Sequence, residues 1–231
     1  MQSDMETDLD RALWKVVDTR SCKKQLKDAE RCIAAGANVN CQRPMGYPYE
    51  EDPSKRETPL LVAVYHGMPR LVNQLLELGA DPNLETGAFG DRTVLHIAVL
   101  HNYPEIVGIL IKAGVPLEKK DTIFGWTALH LAVYSCHRHH LCVRMLIAEG
   151  ANVHAMDDTG RTPWQTNLEY GGRFSPQLKA ILVENGADQP DKTVYRNFPN
   201  WEFEWKWKDG TNWMKTLLHK ERYPRGRRAL V

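Results

Sequence analysis

Two short phrases recur along this chain at a nearly constant interval. The first phrase opens with threonine, at Thr58, Thr93, Thr127 and Thr162, and these threonines lie 35, 34 and 35 residues apart. The second phrase begins with glycine and closes each unit at residues 36–40, 79–83, 114–118, 150–154 and 186–188. A period of this length is typical of a linear array of stacked repeats, so each unit must bury its apolar face against its neighbours.

The copy over residues 58–83 predicts two short helices. Thr58 can cap the first helix and Pro59 fits its first turn. Gly67 is expected to end that helix, Pro69 to open the second, and Gly79 to close it in a left-handed cap. Helices this short are marginal in water, so neighbouring units must cover their apolar faces. The residues expected to be buried between units are Ala63, Leu75 and Leu76.

These phrases resemble the ankyrin repeat, whose pattern runs T-P-L-H-x-A, then a glycine, then a leucine-rich helix ending in G-A-D-V-N. The resemblance covers residues 58–188 well and 9–40 partially. It implies an all-α solenoid of paired antiparallel helices with finger loops, acting as a non-catalytic module that binds other proteins. The repeats are expected over residues 8–40, 55–83, 90–118, 124–154 and 159–188 of an array spanning 1–190.

The first unit lacks the threonine phrase and is expected to form the terminal capping repeat. An end repeat has no neighbour on one side, so a polar outer face suits it. The residues assigned to that face are Asp8, Asp10, Lys15 and Asp18. A proline- and tyrosine-rich insertion over residues 41–57 follows it, and this insertion fits either a binding loop or a neutral linker.

Residues 191–231 depart from the repeat and form an aromatic and basic tail. Four of the seven tryptophans lie there, and residues 201–207 alternate aromatic and charged residues as a β-strand would. We favour a cap over the apolar end of the last repeat, with a disordered basic terminus. The alternative is an arm that docks a partner or nucleic acid, although a nucleic-acid partner is not the main expectation.

Composition excludes several classes of protein. The 231 residues carry a net charge of +1 and are 42% hydrophobic, which is enough to build a core. No apolar run reaches the roughly 20 residues of a membrane span, and the acidic start lacks a signal-peptide core. Five cysteines are few and odd in number, which favours reduced thiols in a cytoplasmic or nuclear protein. A monomer is expected.

Neither the histidines nor the cysteines predict catalysis, a cofactor or a metal site. His96 and His130 occupy the fourth position of the threonine phrase, where hydrogen bonds to the backbone are expected. Cysteine and histidine cluster over residues 136–142, but their spacing matches no standard zinc pattern, so a solvated helix–helix turn is favoured. No nucleophilic triad or phosphate-binding loop is present in the sequence, and the glycine-rich stretch 87–90 is interpreted as a finger turn.

The resemblance places fingers and first helices on a concave surface that binds an unidentified protein. Three sets of positions face that surface: the residue before each threonine, the finger tips, and the end of each first helix. Aromatic and arginine side chains dominate binding hot spots, and several of these positions hold them. Packing between fingers is the alternative for Phe124 and Trp126. The predicted partner-binding residues are Glu57, Tyr65, His66, Phe89, Arg92, Leu100, His101, Phe124, Trp126, Tyr134, Ser135, Arg161, Glu169 and Tyr170.

Overall fold

The computed structural model describes residues 8–18, 22–43, 57–84, 91–135, 140–169 and 176–187. Within these ranges the chain forms ten helices and no strand, which confirms the all-α prediction. The helices are α1 Asp8–Asp18, α2 Cys22–Ala34, α3 Pro59–Tyr65, α4 Pro69–Glu77, α5 Val94–Leu100, α6 Pro104–Lys112, α7 Ala128–Ser135, α8 Leu141–Ala148, α9 Pro163–Glu169 and α10 Pro176–Glu184.

The helices pack in two layers. The first helices of successive repeats stack on one another in the order α1, α3, α5, α7 and α9, and the second helices α2, α4, α6 and α8 stack beside them. One continuous apolar core runs between the layers. Each of the first four units therefore contributes one helix to each layer, which is the arrangement of a solenoid.

The local signals in the second repeat act as the sequence predicts. The Thr58 hydroxyl accepts a hydrogen bond from the backbone N–H of Leu61 at 3.2 Å, and Pro59 begins α3. Gly67 and Gly79 follow α3 and α4 with φ of +66° and +92°, a region that favours glycine. Gly67 has a second reason to be glycine, because a Cβ there would lie 2.7 Å from the Tyr103 ring.

The first repeat contains one correction. Asp10 does not lie on a solvated outer face, because it is 7% exposed and its Oδ1 accepts a hydrogen bond from the Asn38 N–H at 2.8 Å. Its carboxylate therefore joins α1 to the turn that closes the same repeat. Trp14 is fully buried, and its indole N–H donates to the carbonyl of Gln42 at 3.1 Å.

Several sequence predictions lie outside the described residues. They concern the tail over 191–231 with its predicted strand, most of the insertion over 41–57, and the turn residues 136–139. They also concern Phe89, predicted at a finger tip, and Tyr170, predicted at the end of a first helix. Within the described ranges, no helix combines the length and apolarity needed to cross a membrane.

Candidate functional site

Buried aspartates organise the finger loops that lead into the first helices. Asp121 accepts backbone hydrogen bonds from Phe124 and Trp126 at 3.0 and 3.1 Å, and its second oxygen pairs with the Arg92 guanidinium at 3.1 Å. Because Asp121 and Arg92 lie in different fingers and are both buried, this ion pair ties two fingers together. A buried charge pair of this kind needs additional hydrogen bonds, which the two N–H groups supply.

Asp157 has the same role in the following repeat. Its carboxylate accepts hydrogen bonds from the backbone of Thr159 and Arg161, both at 2.9 Å, and from the Trp126 indole N–H at 3.3 Å. Burial alone raises the pKa of Asp157, but hydrogen bonds from the Thr159 hydroxyl and from the backbone N–H groups of Arg161 and Thr159, together with the nearby Arg161 charge, outweigh it and lower the pKa below its usual value. The group therefore stays ionised and holds the Trp126 ring in place.

Histidines complete the connection between fingers. Nδ1 of His96 accepts the Thr93 N–H at 3.2 Å, and its Nε2 lies 3.0 Å from the carbonyl of Trp126 in the next finger. His130 repeats this pattern with Thr127 at 3.3 Å and the carbonyl of Arg161 at 3.1 Å. The expected structural role of both histidines is thus confirmed.

Burial lowers the pKa of His96 from 6.5 to about 4. A lowered histidine pKa means that the unfolded chain binds the proton more tightly than the folded one. We therefore expect the free energy of unfolding to fall by about 3 kcal/mol as the pH drops from 6.5 toward 4. Burial lowers the pKa of His130 and His101 as well, so both act in the same direction. Urea unfolding across this pH range measures the effect.

A matched control for this prediction is present in the chain itself. In the fifth repeat Gln165 occupies the histidine position, and its Oε1 accepts the Thr162 N–H at 2.9 Å. His96→Gln should therefore keep the cap, remove one titrating group and flatten the pH dependence. An equally steep acid loss in the variant would contradict the assignment.

Three of the predicted partner-binding residues lie inside the array. Trp126 is 3% exposed and Arg92 5% exposed, and Leu100 is also buried. Trp126 therefore packs between fingers, which was the alternative to a binding role. The expectation that Arg92 lies on the exposed surface is wrong. The cause is long-range pairing with Asp157 and Asp121, which lie 31 and 29 residues away in sequence.

Two other charged positions before the threonines are only partly exposed. Glu57 pairs with the Arg43 guanidinium at 3.1 Å, and the Arg43 N–H donates to the carbonyl of Glu57 at 3.0 Å. These contacts join the two ends of the insertion. Arg161 pairs with Asp157 at 3.4 Å and also contacts Thr159.

Aromatic side chains form two clusters, each of which includes a tyrosine from the end of a first helix. In the first cluster, at the helix–helix turns of repeats two and three, the Tyr65 ring meets His66 and His101 edge-on at centroid distances of 5.4 and 5.1 Å. The His101 ring stacks on Tyr103 at 5.6 Å. The structure thus brings together three of the predicted residues, and Tyr103 joins them.

The second cluster runs from a finger to the end of α7. The Phe124 ring lies 4.9 Å from Trp126, and the Trp126 ring lies 5.1 Å from Tyr134. Phe124 and Tyr134 remain partly exposed at its two ends. Ser135 donates its hydroxyl hydrogen to the Leu131 carbonyl at 2.7 Å, and Glu169 is the last residue of α9.

Sequence reasoning missed Tyr103 as a member of the first cluster. A signal was available, since Tyr103 precedes Pro104 as Met68 precedes Pro69, and Gly67 in the neighbouring turn leaves room for a ring. The buried aspartates were also missed. Their signal is an acidic residue five or six positions before the opening threonine, at Asp121 and Asp157.

No group of three or more potential ligands within the described residues could hold a metal ion. Cys142, at the end of the cysteine–histidine segment, is buried, and its thiol donates to Asn102 at 3.4 Å. Burial raises the pKa of Cys142 to about 11, so its thiol is neutral near pH 7. Cys142 behaves as a core residue of α8.

Comparison with known proteins identifies the class. The family model described as ankyrin repeats (3 copies) matches residues 20–121, 60–157 and 95–193, which together exceed half of the chain. The protein therefore belongs to the ankyrin repeat family. Ankyrin repeats indicate a protein–protein interaction module.

Three individual relatives are each about a third identical to this chain or less over the aligned residues. The chain is 29% identical over 171 residues to Protein lin-12 of Caenorhabditis elegans, covering 70% of this chain and 11% of that protein. It is 34% identical over 117 residues to NF-kappa-B inhibitor delta of Mus musculus, covering 42% of this chain and 35% of that protein. It is 32% identical over 107 residues to NF-kappa-B inhibitor alpha of Homo sapiens, covering 44% of this chain and 32% of that protein. The chain thus spans at most about a third of these relatives.

Proposed function

We propose that this protein is a non-catalytic adaptor or inhibitor that holds a protein partner on its concave surface. The observation that carries the proposal is the pair of partly exposed aromatic clusters at the ends of the stacked first helices. Aromatic side chains of this kind bury a large area at a low entropic cost, which suits binding hot spots.

The network beneath the clusters supports the same proposal. Asp121 and Asp157 fix the finger backbone, and the buried Trp126 ring supports Phe124 on one side and Tyr134 on the other. A surface held this rigidly loses little conformational freedom on binding, so more of the contact energy appears as affinity. The names of two relatives describe them as inhibitors, which favours an inhibitory role here.

The test is capture of partners by the wild-type protein and by the double variant Tyr65→Ala/Tyr134→Ala. Each change removes one partly exposed ring from one cluster, and truncating a central aromatic should cost about 2 kcal/mol or more of binding. Mass spectrometry identifies the captured proteins, and circular dichroism checks that the variant remains folded.

A matched control uses exposed apolar residues of the second-helix layer. Leu141 and Val183 are exposed on α8 and α10, so Leu141→Ala/Val183→Ala removes comparable apolar surface from another face. Loss of the same partners from both double variants, or from neither, would contradict a binding site on the first helices.

We also propose that the tail over residues 191–231 caps the array. Deleting residues 194–231 should then lower the melting temperature and the solubility, because the apolar end of the last repeat would become exposed. Thermal unfolding and light scattering of the truncated protein measure both effects.

A truncated protein that stays monomeric with an unchanged melting temperature would overturn the cap. Salt-dependent retention of the full chain, but not of the truncated chain, on a polyanion column would instead favour the nucleic-acid role of the basic tail.

A further inference from the structure

A repeated hydrogen bond joins each first helix to the finger that follows it. In repeats three and four, Nδ1 of the histidine in the threonine phrase accepts the threonine N–H, so Nε2 carries the proton. Nε2 of His96 donates to the carbonyl of Trp126 at 3.0 Å, and Nε2 of His130 donates to the carbonyl of Arg161 at 3.1 Å. Each of these repeats thus offers one side-chain N–H to the backbone of the next finger.

The last repeat keeps this donor at the end of the described chain. Gln165 takes the histidine position, and its Oε1 accepts the Thr162 N–H at 2.9 Å, as Nδ1 does in the histidines. The Nε2 amide of Gln165 therefore corresponds to the histidine Nε2, and no described residue accepts a hydrogen bond from it. Because Gln165 is partly exposed, a backbone carbonyl can reach this group.

A second repeated contact links the residue before each threonine to a carboxylate in the next finger. Arg92 pairs with Asp121, which lies 29 residues further along the chain. The Trp126 indole N–H donates to Asp157, which lies 31 residues further along. Arg161 holds the same position in the last repeat. It pairs with Asp157 in its own finger at 3.4 Å, and a guanidinium presents several N–H donors, so it can also meet a second carboxylate.

The sequence supplies a carboxylate at the matching interval. Asp191 lies 30 residues after Arg161, between the intervals of 29 and 31 residues in the two preceding pairs. It is the only carboxylate over residues 189–201. Asp191 follows its closing glycine by five residues, whereas Asp121 and Asp157 follow theirs by seven, so a finger built on it is two residues shorter.

We propose that residues 188–196, which we call the sixth finger, dock on the finger that precedes α9. The Asp191 carboxylate pairs with Arg161, and a carbonyl four or five residues after it accepts a hydrogen bond from Nε2 of Gln165. That offset is the one in the two preceding fingers. The described chain ends at Ala187, so this segment follows directly. The inference rests on the proposed capping role of the tail and assigns the segment with which the cap begins.

Hydrogen exchange of the full chain tests the sixth finger directly. Asp157 accepts the backbone N–H groups two and four residues after itself, so Asp191 should accept those of Thr193 and Tyr195. We expect these amides to exchange about tenfold or more slowly than those of an unstructured peptide. Exchange at the unstructured rate would overturn the proposal.

Gln165→Glu separates the two roles of this side chain. The variant keeps an acceptor for the Thr162 N–H but places an oxygen where Nε2 donates, so it repels the docked carbonyl. We expect the Tm to fall by about 2–6 °C and the protection over residues 191–196 to be lost. Gln165→His introduces the side chain of repeats three and four and should retain both. The matched control is Gln177→Glu at an exposed position of α10, which should change neither.

Asp191→Asn removes the charge that pairs with Arg161. It should lower the Tm by about 2–4 °C and reduce the protection of the sixth finger. Asp209→Asn makes the same change in the tail outside this segment and should have no effect on either. If Gln165→Glu and Asp191→Asn both match their controls, the proposal is overturned.

This failure is distinguishable from failure of the cap. A lowered Tm on deletion of residues 194–231, with Gln165→Glu and Asp191→Asn both silent, would keep the cap and overturn only the sixth finger. An unchanged Tm in the deletion and in both point variants would overturn the cap and the sixth finger together.

Discussion

Replacement of Asp121 by alanine is expected to lower the free energy of unfolding by about 3–5 kcal/mol. The change removes the carboxylate that faces the buried Arg92 guanidinium at 3.1 Å. It also removes the acceptor for the N–H groups of Phe124 and Trp126. A buried charge and two donors therefore lose a partner together. Urea unfolding monitored by circular dichroism gives the loss.

Asp81 offers the matched control for this variant. Its Oδ1 accepts the Asn83 N–H at 2.8 Å in another finger, but the contact is exposed, so Asp81→Ala should cost less than about 1 kcal/mol. The double variant Arg92→Met/Asp121→Leu should be more stable than Asp121→Ala, because it leaves no charge behind. Equal stability of Asp121→Ala and Asp81→Ala would contradict the structural role of this pair.

Leu75→Ala should lower the free energy of unfolding by about 2–5 kcal/mol. Leu75 is fully buried on α4 in the layer between repeats, so the change loses transfer energy and leaves a cavity. In a linear array this loss weakens the contact with both neighbouring units, so several repeats should unfold together. Hydrogen exchange of helices α2, α4 and α6 follows that spread.

The control is Leu84→Ala, because Leu84 is an exposed leucine that follows the closing turn of the same repeat. That change should be close to neutral. A Leu75→Ala protein with the melting temperature of the wild type would rule out the buried position assigned to this side chain.

Local and periodic signals predicted much of the fold. Thr58, Pro59 and Gly67 act on residues within a few positions of themselves, so their effect can be read from the sequence. His96 and His130 were assigned correctly because the repeat supplies the same backbone partner in each unit. Regular spacing thus predicts the helix pairs, their caps and the buried Ala63 and Leu75. Leu76 was expected to be buried as well, but it is only partly buried at the edge of the core.

Side chains whose partner lies in another unit were harder to place. Arg92 and Trp126 occupy positions that vary between repeats, and their burial depends on Asp121 and Asp157 about one repeat further along. Asp10 was misplaced for a related reason, since its partner is the backbone of Asn38, which lies 28 residues away in sequence. The cluster of Tyr65, His66, His101 and Tyr103 likewise needs two turns side by side, so the sequence of one repeat could not show it.

A partner protein is proposed to bind the first helices and fingers of this array. Hydrogen–deuterium exchange of the full chain, with and without a captured partner, locates that binding surface. We expect added protection in the segments containing Tyr65–His66, His101–Tyr103 and Phe124–Ser135, with helices α4, α6 and α8 unchanged. Protection confined to those second helices, with no change at the aromatic clusters, would contradict the claim.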